Sequence, residues 1–105
     1  MNLQGKKLGI LLSASPEKKS FHHGLHLAEH GLRSGVDVYL YCIDDAVTGV
    51  GDVHLQRLKM KGLKLFACAY GAQQRGLPID DRAAYAGLTV VSDLMSATDR
   101  FVSFN

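Results

Sequence analysis

The chain has 105 residues, 47% hydrophobic and 21% charged, which suits one small domain with one core and excludes a disordered or fibrous chain. Its 12 basic and 10 acidic residues are scattered, so the formal net charge of +2 forms no basic stripe along which a nucleic acid would run. No apolar run approaches the ~20 residues of a membrane span, and two cysteines do not make a disulfide framework.

The first strand is expected from Lys7 to Ser13. Lys6-Lys7 ahead of Leu8 to Ser15 imitates a signal peptide, but the apolar part is very short and cleavage there would remove this strand. The chain is therefore read as cytoplasmic. A helix follows, in which Phe21, Leu25, Ala28 and Leu32 recur at intervals of four, three and four and fall in one stripe at 100° per residue. Gly24 and Gly31 flank that stripe and would let the helix approach the sheet closely; Ser15-Pro16 or Ser20 is the expected start and Gly35 the stop.

Val36 to Cys42 reads as the second strand, with Val36, Val38, Leu40 and Cys42 on one face at period two. A helix from Asp52 to Lys61, stopped by Gly62, leads to a third strand from Leu63 to Cys68. Tyr70 to Leu77 is a turn into a short helix closed by Gly76. A fourth strand is expected at Leu88 to Val91, a last helix at Ser92 to Asp99 and an edge strand at Phe101 to Phe104. This alternation predicts one domain over residues 1–105, a three-layer α/β/α arrangement with a mostly parallel sheet of about five strands. Were the first strand to lie between those carrying Cys42 and Cys68, the two cysteines would be about 9–10 Å apart, too far to bridge.

In an open parallel sheet, reactive groups collect at the carboxyl ends of the strands. Those ends offer Ser13 and Ser15, Asp44 and Asp45, Cys68 and Tyr70, and Ser92 and Asp93. Cys68 is the only strong nucleophile among them. Placed at a strand end before a helix, its sulfur would meet unpaired N–H groups and the positive end of a dipole, both of which favour an anion. The plainer reading makes Cys68 a small buried hydrophobe. The Ser13 to Pro16 loop lacks the glycines of a nucleotide loop and is more simply a helix start. Asp44-Asp45 reads first as a solvated turn.

His22, His26 and His30, one turn apart with His23 adjacent, fall opposite the apolar stripe, on a face turned to solvent or to a partner. Imidazoles at that spacing can share a metal, but no cysteine or carboxylate is spaced to complete a closed site, so no metal is assigned. No serine nucleophile has a base at motif spacing, and no carboxylate pair has a recognisable geometry, which argues against hydrolysis.

Taken together, the first strand with its Pro16 loop, Leu25-His26-Leu27-Ala28 before Gly35, Asp44-Asp45-Ala46-Val47, and Leu65-Phe66-Ala67-Cys68 followed by Arg75-Gly76-Leu77 resemble the DsrE/DsrF and TusD-like proteins of sulfur relay. The likeness spans nearly the whole chain and is most specific at the strand, cysteine, short helix and Arg-Gly-Leu element. It implies a DsrE-like fold and makes Cys68 the catalytic nucleophile, accepting sulfane sulfur as a persulfide and passing it to the thiol of a small sulfur-carrier protein. It also implies a homo-oligomer, trimer or hexamer, or an assembly of paralogous subunits. Ala69 and Tyr70 stand where the family would place a small residue such as glycine. One cysteine suffices for such a transfer, so no cofactor is expected. Arg75 is expected to anchor the short helix or a subunit contact rather than to touch the sulfur.

Two other functions fit the same residues. One is a non-catalytic subunit or small-ligand-binding domain of this fold with Cys68 buried; the other is a metal-binding module on the histidine face. A receiver domain would need an aspartate where Cys68 stands, and a flavodoxin a Ser/Thr/Gly-rich phosphate loop where Ser15-Pro16-Glu17-Lys18 stands.

Overall fold

A computed structural model describes residues 3–105. Its strands are β1 (Lys7–Leu12), β2 (Asp37–Cys42), β3 (Lys64–Cys68), β4 (Ala84–Ala86) and β5 (Arg100–Phe104). They form one sheet in the order β4-β3-β2-β1-β5, and every neighbouring pair is parallel. Parallel neighbours need crossover connections, and these carry α1 (Lys19–Arg33), α2 (Val53–Met60), α3 (Ala69–Gln74) and α4 (Thr89–Ala97). No helix among the described residues is long and apolar enough to cross a membrane.

Strand register assigns the two faces. Leu8, Ile10 and Leu12 pair with Val38, Leu40 and Cys42, and the last two pair in turn with Leu65 and Ala67, so these side chains share one face. Helix α1 lies on that face and buries Phe21, Leu25 and Ala28 completely; each large apolar side chain so buried contributes roughly 1.5–3 kcal/mol. The close approach expected at its glycines is present: a Cβ on Gly24 would come within 3.0 Å of Leu12 Cδ1, and one on Gly31 within 3.0 Å of Val38 Cγ2. Helix α2 packs beside α1 through the buried Leu55 and Leu58. Helix α4 covers part of the opposite face, where Gly9 of β1 meets Phe101 and Thr98.

The helix stops expected at Gly35, Gly62 and Gly76 are where the chain turns. Each has positive φ, and the residue after each donates its N–H five residues back, as in Val36 N–H to Gly31 O at 2.9 Å. The start of α1 differs from expectation. Its N-cap is Lys18, with no side-chain cap, and the turn before it is held by Lys18 N–H to Ser15 O at 3.0 Å.

The fourth strand is not Leu88 to Val91. Thr89, Val90 and Val91 are β-branched and suit a strand by intrinsic preference, but they form the first turn of α4, where half-buried Val90 and Val91 join buried Leu94 at helical spacing. The strand is instead Ala84-Tyr85-Ala86, paired with β3 through Phe66↔Ala84 and Cys68↔Ala86. Ser92 and Asp93 consequently lie within α4 and not at a strand end.

The cysteine geometry also differs from expectation. Strand β2 adjoins β3 directly, with no strand between them, and Cys42 sits opposite Ala67. Alternation then sends Cys42 and Cys68 to opposite faces of the sheet, and both are free thiols.

Candidate functional site around Cys68

Cys68 ends β3 and is the N-cap of α3, with φ −71° and ψ 116°. A residue at this position has extended backbone while its side chain turns back over the first helical turn. The Gly71 N–H donates to Cys68 Sγ at 3.4 Å, so the sulfur takes the place of the oxygen of an ordinary cap. Gly71 and Ala72 are buried beneath it, and Cys68 itself is only 6% exposed. Tyr70 is the exposed neighbour at 67%, with Gln74 Nε2 donating to its hydroxyl at 2.8 Å.

Arg75 holds this element to the loop after β2. Its guanidinium donates through Nη1 to Gly71 O and through Nη2 to Asp45 Oδ1, both at 3.2 Å. It anchors the short helix, as its sequence position suggested. Asp44 and Asp45 open a 3₁₀ segment, Asp44–Gly49, and are exposed. Asp44 has φ +50°, a left-handed conformation that a short polar side chain tolerates better than most. Buried Val47 of this segment packs near Gly71, where a Cβ would be 3.4 Å from Val47 Cγ2.

Tyr41 belongs to the site and was not singled out from the sequence. It pairs with Phe66, shares the face of Cys68 and is fully buried. Its hydroxyl donates to Ala86 O at 2.9 Å. Burial foremost, and then the neighbouring Cys68, pushes its phenol well above the ordinary range. The signal that would have found it is the alternation itself: Tyr39 and Tyr41 occupy the β2 face opposite Val38, Leu40 and Cys42. Cys42 is fully buried, and burial pushes its thiol up to about 12, which leaves it a core hydrophobe.

The other candidates lie apart from Cys68. Ser13, at the end of β1, donates to Asn105 Oδ1 at 2.8 Å and so ties the ends of β1 and β5. The nearby Ser15 side chain is the main cause holding the Glu17 carboxyl below its usual range. His22, His23, His26 and His30 are exposed on α1. His22 Nε2 lies 2.7 Å from Pro16 O, His26 stands against His54, and His54 Nε2 is 3.1 Å from Glu29 Oε1. Among the described residues no three His, Cys, Asp or Glu side chains converge as metal ligands.

No family model matches the sequence, and no curated protein matches it. Solved structures do. The ychN protein from E. coli superposes with a TM-score of 0.79 at 21% identity, over 94% of this chain and 99% of that one. BT1422 from Bacteroides thetaiotaomicron, a conserved protein of unknown function, gives 0.77 at 14% identity, over 94% and 95%. The ychN protein is DsrE-like in fold. This chain has the DsrE-like fold. At these identities the likeness establishes architecture, and the chemistry of a DsrE-like sheet must be argued from the residues at its strand ends. Here those residues are one thiol, the amide of Gly71 and the buried phenol of Tyr41.

Proposed function

We propose that the protein is a sulfur-relay carrier that holds sulfane sulfur as a persulfide on Cys68 and passes it to a partner thiol. The observation that carries this reading is Cys68 at the carboxyl end of a parallel strand, capping a helix with its own sulfur. In the loading step the Cys68 thiolate attacks the outer sulfur of a donor persulfide; a new S–S bond forms at Cys68 and the donor leaves as a thiolate. In the unloading step an acceptor thiolate attacks that outer sulfur, and Cys68 leaves as a thiolate. Two electrons move with each S–S bond formed and broken, so no external oxidant, reductant or cofactor is required. The partner in this reading is the thiol of a small sulfur-carrier protein, and the chain works as a homo-oligomer or with paralogous subunits.

A second reading is favoured by the 6% exposure of Cys68. In it the chain is a non-catalytic subunit or ligand-binding domain of the same fold, and Cys68 is packing. Intact-mass spectrometry separates the two after incubation of the reduced, native protein with a sulfane-sulfur donor. The carrier reading expects a gain of about one sulfur mass that disappears in Cys68→Ala and persists in Cys42→Ala. No adduct with several donors, together with a Cys68 inert to alkylation in the folded state, would establish the second reading.

A further inference from the structure

A cavity of about 590 Å³ opens at the amino end of the sheet, the end away from Cys68. One wall is a single stripe of α1, where Leu27, His30, Gly31 and Ser34 recur three and four residues apart. The floor is Leu8 of β1 with Val36 ahead of β2, and the far side is formed by Lys6 and Arg100. Leu8 and Arg100 are paired in register, so both side chains lie on the face that α1 covers. The opening lies beside β5, an edge strand of the sheet, and among the described residues no further strand or helix pairs with or covers that edge.

The charges of this site are unbalanced. Neither Lys6 nor Arg100 is ion-paired to a carboxylate among the described residues. Asp99 also lines the cavity; its Oδ2 accepts the Lys7 backbone N–H at 2.7 Å while the carboxylate keeps its negative charge, set against Lys6, Lys7 and Arg100 of the same lining. The carboxyl end of α1 adds a partial negative charge of roughly half a unit, so three cations against one carboxylate leave the lining with a net positive charge. The cavity is within the roughly 300–1,000 Å³ of small-molecule sites, which pair an apolar lining with a few polar groups that fix orientation.

We propose that this cavity binds a small amphipathic anion, with its apolar body against Leu8, Leu27 and Val36 and its acidic head between Lys6 and Arg100. The inference does not rest on the sulfur chemistry of Cys68. It adds a ligand site at the opposite end of the strands, where the bound anion would contact α1 and β5 together.

The test is titration of the full chain with decanoate, followed by amide chemical shifts, beside decanol and acetate. Decanoate is expected to give saturable shifts at residues 6–8, 27–36 and 99–100 and to bind about tenfold tighter than decanol. Acetate is expected to give none. The Lys6→Gln/Arg100→Gln double variant changes two exposed side chains and should weaken decanoate about tenfold while leaving decanol unchanged. Leu27→Glu, checked for an unchanged fold by circular dichroism, should abolish binding by placing a carboxylate in the apolar part. Equal affinity for decanol and decanoate, shifts with acetate alone, shifts centred on another surface, or no saturable binding below the micelle range would each overturn the proposal.

Discussion

The hydroxyl of Tyr41 donates to the carbonyl of Ala86, the residue that stands opposite Cys68 in the β3–β4 pair. A side chain of β2 thus reaches past β3 to hold a three-residue edge strand, and its phenol neighbours the thiol on the way. Replacing that hydroxyl tests both roles. Tyr41→Phe keeps the ring in the core and removes one hydrogen bond, so a loss of about 1 kcal/mol is expected in urea unfolding. Alkylation of Cys68 in the folded protein should become faster as β4 loosens. An unchanged midpoint together with an unchanged alkylation rate would mean that the hydroxyl does neither.

Alkaline lability is a second expectation. Burial raises the Cys42 thiol from 9.0 to about 12. With the folded value above the unfolded one, this contribution is fully present below pH 9.0 and is lost as pH rises toward 12, because the unfolded state releases its proton first. Unfolding free energy measured between these limits should fall by up to roughly 1.4 kcal/mol per pH unit for this group. Cys42→Ala should lower stability at neutral pH and make the alkaline decline shallower. A decline equally steep in the variant would assign the effect to other groups.

Gly49 supplies a packing test. A Cβ there would lie 2.6 Å from Phe21 Cε2 and 2.7 Å from Pro16 Cγ, between the ring that centres α1 in the core and the loop before that helix. Gly49→Ala is expected to cost about 1–3 kcal/mol through forced displacement of these groups. Gly87→Ala, with nothing within 4 Å and no positive φ, is the control and should be close to neutral in the same thermal melts.

At the start of α2, the Asp52 carboxylate accepts the Leu55 N–H at 3.1 Å. Asp52→Ala should lower stability by about 1 kcal/mol, and Asp52→Asn, which keeps a capping oxygen, should restore most of it. Equal losses in the two variants would show that the cap is not what the carboxylate contributes.

The core of this fold was legible in the sequence where one local signal coincided with the tertiary outcome. The stripe of Phe21, Leu25 and Ala28 and the glycine stops could be read because helical spacing and positive φ are local requirements. The fourth strand could not. Leu88 to Val91 has the composition of a strand, whereas Ala84-Tyr85-Ala86 has little of it and is a strand only because β3 and Tyr41 offer it partners. The same limit applied to the site. Cys68 is visible as a thiol at the end of an apolar run, while its neighbour Tyr41 depends on β2 adjoining β3, an order in space that no local pattern encodes.

The pairing of β5 with β1 has a consequence for how the chain reaches this structure. Lys7 and Asp99, 92 positions apart, exchange hydrogen bonds where these two strands begin. Closing a loop of that length costs roughly 4 kcal/mol in chain entropy, beyond a constant. The β1–β2–β3 contacts span shorter separations and are expected to form first, leaving β1 for a time with an unpaired edge. That interval is when the chain is most open to pairing with another copy, because an unpaired strand edge is a template for strand addition. Capture of β5 pairs β1 and moves the open edge to the five-residue β5, so slowing that last step is expected to raise the share of chains that aggregate.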